Sequence, residues 1–194
     1  MTVDMSLDSV TVFASSSTKV DRVYFDSAAE LGRALAAEGW TLIYGGNRVG
    51  PMGALADAVR SGGGKVVGVT PKVFLDHGHG DDLCTELVVV DSMRRRKELM
   101  ESRGDAFVTL PGGLGTLEEF FEIVVGQFLG FHGKPVVLLN IAGFFNDLLH
   151  LIERQIRDGF VRPAAWEQVH VAATVPDAVA YLRRWEPRPA RSRL

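Results

Sequence analysis

The chain has 194 residues with a formal net charge of −3. That length accommodates one domain with a sizeable core, and the acidic balance gives no bulk reason to bind nucleic acid or an anionic membrane. Cys84 is the sole cysteine, which excludes an intrachain disulfide framework and a thiolate zinc cluster.

The first strand is predicted within Ser9–Ser15 (SVTVFAS). A helix follows in DRVYFDSAAELGRALAAEG, with Val23, Ala28, Leu31 and Leu35 on its apolar side and Gly39 as its stop. Further strands are expected at Thr41–Gly46, Lys65–Pro71, Glu86–Ser92, Ala106–Gly112 and Lys134–Asn140, and a weaker seventh in EQVHVAAT. Several are nearly continuous apolar runs, the pattern of strands buried on both faces of a parallel sheet. FFNDLLHLIERQIRDG places Phe145, Leu148, Leu149, Ile152 and Ile156 on one helical stripe. The alternation reads as a doubly wound α/β domain over residues 1–185, with a mainly parallel sheet of about seven strands. From Glu186 onward, EPRPARSRL is rich in Pro and Arg without apolar periodicity, and a flexible tail is expected there. No apolar run reaches the roughly 18 residues of a membrane span. The opening MTVDMSLDSV lacks the basic and apolar regions of a signal peptide, so a cytoplasmic location is expected.

Open α/β sheets bind ligands beyond the carboxyl ends of their strands. Those ends carry ASSS (Ala14–Ser17), YGGNRVGPMG (Tyr44–Gly53), DSMRRRK (Asp91–Lys97) and PGGLGT (Pro111–Thr116). In PGGLGT, small residues let backbone amides approach an anion, and the following helix adds its positive end. Thr116 could add a hydroxyl. Thr116 and Glu119 also fit a T-x-x-E capping box, and the two readings are compatible. Beyond the loop, Leu117, Phe120, Phe121, Val124, Val125 and Phe128 form the expected apolar stripe, which sets Glu118, Glu119 and Glu122 on the opposite side. There they are either a solvated face or the source of a general base or sugar-hydroxyl acceptor.

Arg94, Arg95, Arg96 and Lys97 would occupy the first turn of a helix capped by Asp91 or Ser92, where cations oppose the dipole. Such a cluster calls for an anionic ligand or for carboxylates such as Glu118, Glu119 and Glu122; a solvated basic face is the bland alternative. Gly45, Gly46, Gly50 and Gly53 suit a second wall of a nucleotide site. Neither G-x-G-x-x-G nor G-x-x-x-x-G-K-[ST] can be written across the chain's loops, which argues against a dinucleotide fingerprint and a P-loop. HGHGDD (His77–Asp82) has no helical i, i+4 histidine pair, and no metal site is expected.

PGGLGTLEE together with MRRRK resembles the P-G-G-x-G-T-x-x-E and M-x-x-R-K motifs of the LOG (Lonely Guy) family of phosphoribohydrolases. VFASSS, YGGNRVGPMGALADAV, VVGVTP and GKPVVLLN with GFFNDLL extend the likeness over most of Val10–Phe160. The resemblance implies a Rossmann-like fold, a homodimer, and no metal or organic cofactor. It also implies hydrolysis of a nucleoside 5′-monophosphate, a cytokinin riboside monophosphate or AMP, to free base and ribose 5-phosphate. By position it makes Arg96 and Glu119 catalytic, and Lys97, Gly112, Gly113, Gly115, Thr116 and Glu118 ligand-contacting; Met93, Ser15, Ser16, Gly45 and Gly46 join them as neighbouring substrate-binding candidates. Arg94, Asn47 and Pro51 depart from the residues frequent at their positions, which bears on base preference. Family members are often labelled lysine decarboxylases, but nothing around Lys19, Lys65, Lys72, Lys97 or Lys134 suggests a pyridoxal phosphate site. A non-catalytic nucleotide or molybdenum-cofactor carrier is the competing expectation. Phe121, Phe128 and Phe131 suit either a dimer face or an ordinary core.

Overall fold

The computed structural model describes residues 7–186; beyond Glu186, the expected tail lies outside the described residues. Strands β1 (Ser9–Phe13), β2 (Thr41–Tyr44), β3 (Val66–Pro71), β4 (Glu86–Val90), β5 (Ala106–Thr109), β6 (Val136–Leu139) and β7 (Val169–Ala172) each form inside the stretch that its sequence marks. Every pairing is parallel, in the spatial order β4-β3-β2-β1-β5-β6-β7. β1, β5 and β6 are buried along their whole length, as strands covered on both faces must be. β4, at an edge, leaves Glu86 and Val89 exposed.

The connecting helices are α1 (Arg22–Glu38), α2 (Gly50–Ser61), α3 (Lys72–Asp76), α4 (Met93–Arg103), α5 (Leu114–Leu129), α6 (Asn146–Arg157), α7 (Pro163–Trp166) and α8 (Val175–Arg184). On one face, Leu31 and Leu35 of α1, Leu55 and Val59 of α2 and Val179 of α8 pack on Val10, Val12, Leu42 and Val108. On the other, Met100 of α4 and Phe120 and Ile123 of α5 cover Phe13, Ile43, Phe107 and Leu138. Each fully buried Leu or Phe contributes about 1.5–3 kcal/mol. α1 stops at Gly39 as its sequence indicates. Val23 departs from expectation: it lies in the first turn of α1 and stays exposed.

The chain steps outward from β1 to β4, and α4 then carries it back to β5 on the far side of β1. β1 and β5 therefore flank the topological switch point, where open α/β sheets place their ligands. The backbone N–H of Leu110 donates to the Phe13 carbonyl at 2.9 Å, so ASSS and PGGLGT leave the sheet side by side.

Candidate active site

α4 is mostly charged, and its inward stripe consists of two residues one turn apart, Arg96 and Met100. Burying Met100 against the sheet turns Arg96 inward with it, because positions i and i+4 share a helix face. Ser92 caps the helix, its hydroxyl accepting from the Arg95 backbone N–H at 3.3 Å. The cations that oppose the dipole are answered by carboxylates: Arg95 pairs with Glu98 at 2.7 Å and Lys97 with Glu122 at 2.8 Å, and Lys97 also bonds Glu118. Arg96 Nη1 donates to Glu119 Oε1 at 2.7 Å, and Arg96 Nε donates to the Val69 carbonyl at 3.0 Å. Both side chains of the Arg96–Glu119 pair are 8% exposed.

Two expectations for Glu119 are corrected here. α5 begins at Leu114, with Gly113 as a cap position that offers no side chain. Thr116 and Glu119 are therefore inside the helix, and no capping box forms. Glu119 also does not share the solvated side of Glu118 and Glu122. The inward stripe is Thr116, Glu119, Phe120, Ile123, Val124 and Gln127, while Val125 is exposed. Apolarity alone misplaces this stripe, since it overlooks polar side chains that turn inward to a partner. For Glu119 that partner is Arg96, 23 residues away.

The electrostatics of the pair run in two directions. Burial pushes the Glu119 carboxyl above the ordinary carboxylate value, and the Arg96 guanidinium pulls the other way without overcoming it. Desolvation is the larger effect. Burial pulls Lys97 down, but the hydrogen bonds it donates to Glu118 and Glu122 outweigh that and leave it raised.

Glycine is needed at two places for close approach. A Cβ on Gly45 would lie 2.0 Å from Arg96 Nη2, and one on Gly112 would lie 2.2 Å from Thr116 Oγ1. Gly45 thus seats the guanidinium from the β2 end, and Gly112 lets the PGGLGT turn fold down onto α5. No side chain caps α5, Gly113 and Gly115 at its start are exposed, and the first backbone N–H groups of a helix have no acceptor within it. Ser15 holds Met52 of α2 through its carbonyl at 2.9 Å, Ser16 is exposed, and Gly46 is buried after β2. Met93 opens α4 with an exposed side chain, and Arg94 next to it makes no ion pair among the described residues. Asn47 accepts from the Val49 N–H at 3.1 Å and Pro51 occupies the first turn of α2, so both departures are accommodated locally.

The sequence reading missed one cluster. Asp81 is fully buried and accepts from Tyr44 Oη at 2.5 Å, Arg60 Nη1 at 2.7 Å and the Leu83 N–H at 3.0 Å. HGHGDD contains this aspartate, but its partners Arg60 and Tyr44 lie 21 and 37 residues away and leave no local signal. His77 and His79 are exposed, and no group of three or more His, Cys, Asp or Glu side chains is placed to hold a metal among the described residues. No helix among them is long and apolar enough to cross a membrane.

Fold and site together define a doubly wound, Rossmann-like α/β protein whose glycine turns and buried Arg–Glu pair gather at the switch point. A family model described as "Possible lysine decarboxylase" matches residues 52–182, and the chain belongs to this family, the LOG family. It is 44% identical over 181 residues to a cytokinin riboside 5′-monophosphate phosphoribohydrolase of Rhodococcoides fascians, covering 90% of this chain and 89% of that protein. It is 44% identical over 152 residues to the enzyme of the same name from Mycobacterium tuberculosis, covering 78% and 81%. Among solved structures, the molybdenum cofactor carrier protein of Chlamydomonas reinhardtii shares the fold, with a TM-score of 0.71 at 22% identity over 92% of this chain and 98% of that one.

Amino-acid decarboxylation would call for pyridoxal phosphate on a lysine, and the residues do not fit it. Lys97, beside the pair, is bound by two carboxylates and held protonated. Burial lowers Lys134, but that residue precedes β6, at the amino edge of the sheet and away from the site.

Proposed function

We propose that this chain hydrolyses the N-glycosidic bond of a nucleoside 5′-monophosphate, a cytokinin riboside monophosphate or AMP, releasing free base and ribose 5-phosphate. The observation that carries this reading is the buried Arg96–Glu119 pair beside an uncapped glycine turn, in a chain 44% identical to a named phosphoribohydrolase.

Cleavage breaks the bond between C1′ and the base nitrogen, leaves an oxocarbenium-like ribose, and places a water oxygen on C1′. Glu119 stabilises that cationic centre and takes the proton from the attacking water; its raised affinity for protons favours that role. Arg96 fixes the Glu119 carboxylate and supports the departing base, which leaves with the electron pair of the broken bond and takes up the proton that Glu119 received from the water, directly or through solvent. The amides of Gly112, Gly113 and Gly115, the Thr116 hydroxyl, Ser15 and Ser16 hold the 5′-phosphate, and Lys97, Glu118, Met93, Gly45 and Gly46 border the sugar and base. Phosphate binding remote from C1′ then contributes to positioning the sugar, which favours monophosphates over nucleosides. No metal or organic cofactor enters these steps.

We place the protein in the cytoplasm as a homodimer. Val125 and Leu129 on the outer side of α5, with Phe131 at 77% exposure just beyond it, supply an apolar face for a second copy; Phe121 and Phe128 are half-buried. Sedimentation of the wild type and of Phe131→Glu tests the dimer, with a shift to monomer expected in the variant.

The activity is tested by supplying AMP and N6-isopentenyl-AMP and separating the products by chromatography. Free base with ribose 5-phosphate in equal amounts is expected. Thermal stabilisation by both nucleotides with no product from either would instead favour a carrier.

A further inference from the structure

The Asp81 cluster lies across the sheet from the Arg96–Glu119 pair, and its connections lead to it. Tyr44 is the last residue of β2, and its side chain packs with the α1–α2 face. Gly45 follows and presents its opposite side to the Arg96 guanidinium. Asp81 holds this short segment at both ends: its carboxylate takes the Tyr44 hydroxyl, and its backbone N–H donates to the Gly46 carbonyl at 2.9 Å. The carboxylate is itself anchored to α2 through Arg60, which also bonds Asp57. Tyr44, Gly45 and Gly46 are therefore fixed from the face that holds no reaction chemistry, and Gly45 forms the surface on which Arg96 rests.

We infer that Asp81 is a positioning residue for the reaction: it fixes the Tyr44–Gly46 segment so that Gly45 seats the Arg96 guanidinium against Glu119. This rests on the catalytic reading of that pair. Loss of the Asp81 carboxylate would let the segment relax into the α4 side, and the guanidinium, with the Val69 carbonyl as its other fixed contact, would lose its register on Glu119. Gly45 and Gly46 border the proposed sugar and base site, but the 5′-phosphate loops leave β1 and β5, so the phosphate anchor is kept and the loss should fall on kcat more than on KM.

The test uses the full-length chain as wild type, Asp81→Asn, Tyr44→Phe and Glu119→Gln. Turnover of AMP or isopentenyl-AMP is measured together with hydrogen exchange of the Arg96 Nε–H in arginine-labelled protein, a readout that needs no activity. Asp81→Asn is expected to lower kcat at least tenfold, to leave KM within about threefold, and to speed Arg96 Nε–H exchange at least tenfold. Tyr44→Phe, which keeps the Asp81–Arg60 pair, should do the same to a smaller extent, and it decides the matter if Asp81→Asn does not fold. Folded variants with wild-type kcat and wild-type Arg96 protection would overturn the inference, whatever their melting temperature. An active Glu119→Gln would instead overturn the catalytic reading, and the exchange measurement would still decide the role of Asp81.

Discussion

Glu119 and Asp81 are the carboxylates buried among the described residues, and the protein treats them differently. Asp81 receives a phenol, a guanidinium and a backbone N–H. Burial alone would raise it, but these donors prevail and hold it below the ordinary aspartate value. Glu119 receives a single donor, Arg96, and burial keeps it raised. A carboxylate that accepts hydrogen bonds on both oxygens is fixed as an ion and serves as a structural anchor. One left with spare acceptor capacity and a raised proton affinity remains available for a water or a substrate hydroxyl. The contrast separates scaffold from chemistry without reference to any ligand.

The sharpest way to break that contrast is Glu119→Gln, which keeps the size and an acceptor for Arg96 but removes the base. Turnover should fall by about 10²–10⁴ while nucleotide binding, followed by calorimetry, persists. In the wild type, the acid limb of kcat/KM should lie above the ordinary glutamate value of about 4.3, because the base is lost only when Glu119 is protonated.

Arg96→Ala removes the one donor. An uncompensated buried carboxylate costs about 3–5 kcal/mol, and urea melts should show it with a characteristic pH dependence. Glu119 would then be raised further, and a group raised in the folded state loses its stabilising contribution as pH climbs through its folded pKa. The variant's deficit should accordingly be small at acid pH and largest at neutral pH; a deficit independent of pH would count against an ionised Glu119.

Gly112→Ala tests the neighbouring turn. Its Cβ would press on Thr116 Oγ1 at 2.2 Å and on Thr116 Cβ at 2.6 Å, an overpacking of about 1–3 kcal/mol. The expected result is a raised KM for the monophosphate with a smaller change in kcat, read from initial rates.

The smallest effect is confined to acid. Asp81 is lowered on folding, so its contribution is complete above the unfolded aspartate value of about 3.9 and fades as pH falls through its lower folded value. Chemical melts between pH 2 and 5, taken with ~0.5 pH spacing, should be less steeply pH-dependent in Asp81→Asn than in the wild type.

Much of this was legible in the chain. Near-continuous runs such as SVTVF and VVLL mark strands covered on both faces, and all seven strands formed where they were expected. Ser92 as a cap and Gly39 as a stop follow from local backbone chemistry. The cations of MRRRK call for an anionic ligand or carboxylates, and Glu119 meets Arg96 while Glu118 and Glu122 meet Lys97. The pattern failed where a polar side chain faced inward. Periodicity counts apolar residues and a T-x-x-E string is satisfied by local spacing alone, so neither shows that Glu119 turns inward to Arg96.

By itself, then, the sequence determined the α/β alternation, the glycine turns at the strand ends, and the family through its paired motifs. These depend on neighbours a few residues apart. The meeting of Arg96 with Glu119, the seat that Gly45 gives the guanidinium, and the capture of Asp81 by Tyr44 and Arg60 were decided by the tertiary structure. The physical reason is that parallel strand order and the return of α4 across the sheet bring distant residues together, and burial then sets which of the two carboxylates is anchored and which remains free to react.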